Sequence, residues 1–184
     1  HYRVAGTVSG NGNTTIGGDN DAFLTAGDVQ VTGKAEFAVS RWDVTVNTNV
    51  AATLDSYAFT VTGVGLIASE FNLTISGALG MAKVTSDDST ADYYTAIKMG
   101  DVNVTTNPGT DTFGLSGVVT IDSLDINKVG NSNTVLGDRL DWSTAFDFNS
   151  DGTPDLIDPG LDLPTPQELP IDFTDDMQYR VAGT

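Results

Sequence analysis

The segment Asp147-Phe148-Asn149-Ser150-Asp151-Gly152-Thr153-Pro154-Asp155-Leu156-Ile157-Asp158 carries an oxygen-bearing side chain at every second position from 147 to 155. Such alternation lets a chain wrap one hard cation, because calcium takes six to eight oxygens and a glycine at the sixth position permits the sharp turn that closure needs. Gly152 holds that position. The four carboxylates of Asp147, Asp151, Asp155 and Asp158 repel one another at this spacing until a cation neutralises them. Calcium is the chemistry the spacing suits.

The run resembles the EF-hand-type loop, especially its dockerin and thrombospondin-type variants, which close with aspartate instead of glutamate. That resemblance covers these twelve residues only. It implies Asp147, Asn149, Asp151, Asp155 and Asp158 as side-chain ligands, with Thr153 offering its carbonyl oxygen. Pro154 at the eighth position and Pro159-Gly160 after the twelfth leave no room for an exiting helix, so a helix-free calcium loop is expected. Asp19-Asn20-Asp21 and the trio Asp87, Asp88 and Asp92 lack the alternation and read as solvated turns.

No other constellation offers a reaction. His1 is the only histidine and there is no cysteine, so a Ser-His or Cys-His nucleophile has no members and thiolate metal sites are excluded. Gly63-Val64-Gly65-Leu66-Ile67-Ala68 matches a dinucleotide glycine pattern by letters, but it lies inside a strand pattern with no helix to follow. Nothing among the 22 aspartates singles out a carboxylate pair for glycoside hydrolysis. Trp42 and Trp142 are candidates for a sugar-stacking platform, although tryptophan on an alternating strand more often packs in the core. Asn13, Asn72 and Asn103 satisfy the Asn-x-Ser/Thr acceptor pattern, which arises readily by chance in a threonine-rich chain.

The charge balance narrows the partners. With 25 acidic residues against 8 basic ones and a net charge of −17, the chain repels phosphate backbones and anionic membranes, so neither nucleic acid nor membrane insertion is expected. Only 3 of the acids are glutamate, and aspartate favours turns and caps where glutamate favours helices. No apolar run approaches the roughly 20 residues that span a bilayer. At 184 residues and 39% hydrophobic content the chain can bury a core of ordinary size.

The elements that must position the loop are strands. Val29, Val31, Ala35, Phe37 and Val39 alternate with Gln30, Thr32, Lys34, Glu36 and Ala38, and the alternation resumes at Trp42, Val44 and Val46. Residues 28–48 therefore predict a hairpin or one long bent strand with the first set facing inward. Further strands are predicted at 57–66, 70–79, 93–105, 113–126 and 140–148. No segment carries a convincing helical stripe, and the fold class expected is all-β, an antiparallel β-sandwich or elongated two-layer sheet, with a β-solenoid as the alternative. Four of the six prolines fall between Pro159 and Pro170, which predicts an extended linker.

Tyr2-Arg3-Val4-Ala5-Gly6-Thr7 recurs letter for letter as Tyr179-Arg180-Val181-Ala182-Gly183-Thr184. Six consecutive identities at an offset of 177 residues point to one copy of a tandem module. The organisation expected is a β-rich module over 1–158 ending in the calcium loop, a linker over 159–178, and the start of the next copy at 179–184. In this design the chain resembles modules of giant extracellular bacterial repeat proteins, namely calcium-dependent surface adhesins and cell-surface fibre proteins. The resemblance implies an extracellular or cell-surface structural repeat without enzymatic activity, stiffened by calcium, whose partners are neighbouring copies of itself. The alternatives are a glycan- or surface-binding module acting by avidity and, less favoured, a polysaccharide-active enzyme.

Overall fold

The computed structural model describes residues 1–9, 24–26, 29–31, 33–46, 50–68, 71–87, 93–106, 117–130 and 137–184. The protein is all-β. Its strands are β1 (Tyr2–Ser9), β2 (Leu24–Ala26), β3 (Val29–Val31), β4 (Lys34–Val46), β5 (Val50–Ala68), β6 (Phe71–Ser86), β7 (Tyr93–Thr106), β8 (Val118–Gly130) and β9 (Tyr179–Gly183). They form one antiparallel sheet in the order β1-β4-β5-β6-β7-β8-β9, with β2 and β3 attached beside the end of β5. Consecutive long strands pair with their neighbours, and their runs of valine, threonine and aromatic residues suit such pairing.

Alternation gives the sheet two unlike faces. One carries small residues in its middle, with Ala58 opposite Gly80 and Ala82 opposite Ala96, flanked by Leu54, Val84, Tyr94 and Val129. Residues 137–178 lie across this face as an irregular cap. Leu140, Trp142, Phe146, Ile157, Ile171 and Phe173 of the cap join Leu54, Ala82, Val84 and Tyr94 in one core, and Leu163 packs on Ala38 and Ala58. Small side chains let the cap approach closely: a Cβ on Gly80 would stand 3.3 Å from that of Leu169. The opposite face is half-exposed and includes Phe37, Phe59, Met81, Ile97 and Leu124.

Three expectations differ from this arrangement. The proline-rich stretch is irregular, as expected, yet it is no exposed linker. Pro159, Gly160, Leu163, Leu169 and Ile171 are buried, a 3-10 turn forms at Pro159–Asp162, and Ile157 bridges to Ile171. Proline costs little there because the cap satisfies its backbone through side chains and single bridges instead of a ladder. The stretch 140–148 is not a strand either. Asp141 accepts bonds from the amide (3.0 Å) and hydroxyl (2.5 Å) of Ser143, a local turn that competes with extension while Trp142 and Phe146 still reach the core.

In β4 the inward face is the opposite of the one predicted for residues 36–40. Glu36, Ala38 and Ser40 lie under the cap, whereas Phe37 and Val39 face outward and are half-buried. The polar residues are accommodated by specific partners. Ser40 shares a hydrogen bond of 3.1 Å with Ser56, and Glu36 takes the amide and hydroxyl of Thr165 at 2.8 and 2.9 Å.

Candidate metal loop and the duplicated edge strands

The loop at 147–158 leaves the core at Phe146 and returns to it at Ile157, both buried. Phe148 stacks on Phe146 at 5.6 Å and tilts against Trp42 at 5.5 Å, which fixes the loop over one end of β4. Within it, Asp147 accepts the amides of Asp151 (3.2 Å) and Gly152 (2.9 Å), and Asn149 also accepts that of Asp151 (2.8 Å). Asp151 accepts the amide of Thr153 (2.8 Å), and Asp155 that of Phe148 (2.7 Å). The turn needs a backbone in the left-handed region, supplied by Ser150 at φ 59° and by Gly152 at φ 84°. The sharp turn expected at Gly152 is present.

Asp158 has a separate task. Its Oδ1 accepts the amides of Gly160 and Leu169, each at 3.0 Å, so it caps the 3-10 turn and ties the two arms of the cap together. Among the described residues no three histidine, cysteine or acidic side chains are gathered as a ready metal-binding group. The donor chemistry of Asp147, Asn149, Asp151 and Asp155 still fits a hard cation, because a carboxylate that accepts one or two amides keeps further lone pairs. In the folded loop, backbone amides hold these side chains in place.

The other candidates resolve into structure. Trp142 is fully buried and donates to Asn127 Oδ1 at 3.0 Å, while Trp42 stacks on His1 at 4.3 Å, so the two indoles do not make one platform. Asn103 accepts the Thr120 hydroxyl at 2.9 Å. Gly63 and Gly65 lie within β5. Asn13, Asp19, Asn20, Asp21, Asp88 and Asp92, and the side chain of Asn72, lie outside the described residues. No helix among the described residues is long and apolar enough to cross a membrane.

Sequence reasoning missed two polar anchors. The first is Glu36, buried on β4 and bonded to Lys34 as well as to Thr165 of the cap. The Lys34 ammonium, more than the Thr165 donors, holds this carboxyl below its ordinary value of 4.5 despite burial. A carboxylate held low contributes stability above its unfolded value and loses it as pH falls through the lower folded value. Melting temperatures of the parent and of Glu36→Gln should therefore differ most above pH 4.5 and converge in more acidic buffer. The second anchor is Asp125 on β8, fully buried, which accepts Arg180 Nε at 2.8 Å. No periodicity announces either one, since each depends on which distant segment covers the strand.

The duplicated hexapeptide forms the two outer strands of the main path. β1 pairs with β4, β9 pairs with β8, and among the described residues neither has a second neighbour. Arg3 meets Asp162 of the cap at 3.0 Å, as Arg180 meets Asp125. Both glycines stand at a close approach, though against different neighbours. A Cβ on Gly6 would come within 2.8 Å of the Phe37 ring, and one on Gly183 within 2.4 Å of the Thr120 carbonyl oxygen.

The chain matches no protein-family model, and no curated protein or solved structure matches it.

Proposed function

We propose that the protein is a structural repeat of an extended extracellular or cell-surface protein, joined end to end to copies of itself and carrying no catalytic role. The carrying observation is that one hexapeptide occupies both outer strands of a single antiparallel sheet. The same strand sequence at both ends of one unit fits a tandem array, in which each unit begins as the last one did. The strong negative charge and the absence of cysteine fit a surface-exposed, disulfide-free module. Reading the residues that follow Thr184 in the full-length protein tests this. The sequence Val-Ser-Gly-Asn-Gly, repeating residues 8–12, supports it, and an unrelated continuation overturns it.

Calcium is the second part of the reading. Asp147, Asn149, Asp151 and Asp155, with the Thr153 carbonyl, would hold the ion, and Asp158 would serve mainly as the cap of the turn behind it. Bound calcium would neutralise an exposed acidic loop that is pinned to the core at both ends. One site filled at 100 times its dissociation constant adds about 2.7 kcal/mol. The melting temperature should rise by several degrees in millimolar calcium and fall back with chelator, and Asp147→Asn with Asp151→Asn should abolish the difference. A melting temperature indifferent to calcium in the parent protein sinks this part alone.

A further inference from the structure

We infer that successive copies share one strand, so that Tyr179–Gly183 is at once the last strand of one module and the first strand of the next, and the array is a single continuous antiparallel sheet. This rests on the tandem reading and adds the geometry of the junction. The hydrogen-bonding parity of the two outer strands carries it.

In an antiparallel sheet, alternate residues direct both backbone groups to one neighbour and the intervening residues to the other. On β5, the Ala51 carbonyl accepts from Asp87 at 3.1 Å, next to the pair Ala52 and Ser86, so odd residues there face β6 and even ones face β4. Their partners on β4 are even, which leaves Ala35, Phe37, Val39 and Arg41 to bond β1. Those four pair with Val8, Gly6, Val4 and Tyr2. The unused edge of β1 therefore belongs to Arg3, Ala5 and Thr7.

On the other side of the sheet, Thr184 exchanges both of its bonds with Thr120 at 2.9 Å, and Gln178 accepts from Asn127 at 2.8 Å. Even residues of β9 bond β8, so its unused edge belongs to Tyr179, Val181 and Gly183. At the offset of 177 these are Tyr2, Val4 and Gly6, the residues with which β1 bonds β4. The edge that β9 leaves open is the edge that β1 uses.

Side chains and strand direction agree with the backbone. Arg3 and Arg180 both lie on the capped face, and β1 and β9, six antiparallel steps apart in the seven-strand path, run the same way. In a shared strand one arginine stands between Asp125 of its own module and Asp162 of the next, and its five donors can serve both. The buried Asp125 Oδ1, which has no hydrogen-bond partner among the described residues, lies at this junction. One glycine answers both close approaches, to Thr120 on one side and to Phe37 on the other.

Amide exchange read residue by residue by NMR tests the sharing. In the 184-residue chain the amides of Arg180, Ala182 and Thr184 should be slow and those of Tyr179, Val181 and Gly183 fast. In a chain where a second copy of residues 8–184 follows Thr184 directly, the latter three should slow by roughly 100-fold or more. A control chain with a complete second copy attached through a Gly-Ser spacer keeps two separate outer strands and leaves them fast. Fast exchange at these three positions in the directly fused chain overturns the shared strand, whether the second copy is tethered unpaired or fails to fold behind it. The residues after Thr184 decide the tandem reading separately.

Discussion

Trp142→Ala is expected to cost about 3–5 kcal/mol, a drop in melting temperature on the order of 10 °C, because the indole is fully buried between cap and sheet. The change removes more than volume. Trp142 donates to Asn127 Oδ1 at 3.0 Å, and the Asn127 side-chain amide in turn donates to the carbonyls of Leu140 and Thr174, each at 3.0 Å. Losing the indole leaves a fully buried acceptor unpaired and loosens the tie that holds two cap segments to β8. Trp142→Phe should recover part of the packing but not the hydrogen bond. Thermal unfolding of the three proteins checks the order, parent above Phe above Ala.

Arg180→Ala is expected to cost about 2–3 kcal/mol, since it leaves a carboxylate buried without its counter-charge. The figure sits below the range for wholly buried pairs because 61% of the Arg180 side chain is exposed, and solvent screens part of the interaction. A second change, Asp125→Asn, should restore part of the loss by removing the stranded charge, so the double variant should melt above Arg180→Ala alone. Arg3→Ala should cost less, because its partner Asp162 is 25% exposed against 1% for Asp125. Two identical arginines thus differ in weight according to the edge they occupy. In a continuous sheet the same residue would carry both roles, and its loss would weaken two modules together.

The strands were legible because period-two alternation survives in the letters. The strand expected at 93–105 is β7 with nearly those bounds, while the span 28–48 divides into β3 and β4, the latter running unbroken through Ser40 and Arg41. The turn at Gly152 was legible for a similar reason, since only glycine enters the left-handed region at no steric cost. What covers each face was not legible. Around Phe37 and Glu36 hydrophobicity favours one face and the cap selects the other, because Thr165, distant by 129 residues, satisfies the glutamate. Four prolines resemble a linker, but Pro159, Leu163, Leu169 and Ile171 of that stretch are buried, Leu163 against Ala38 and Ala58 and Leu169 close to Gly80. Both outcomes depend on long-range packing that a local pattern does not encode.

The duplicated hexapeptide is legible as repetition in the letters, whereas its place at both outer strands depends on the pairing of the sheet. Gly6 and Gly183 read alike in the sequence and meet different neighbours in space. In the shared strand proposed above, both constraints would fall on one glycine.

Length per added copy tests the central claim most directly. Seven strands with the outer two equivalent give six strand spacings per module, which at ~4.8 Å each is an axial advance of roughly 29 Å, with the cap winding about the axis as the sheet twists. Electron micrographs of chains with two, four and six directly fused copies should show straight, twisted rods that lengthen by that fixed increment. Beads of variable separation and bending at each junction would contradict the continuous sheet.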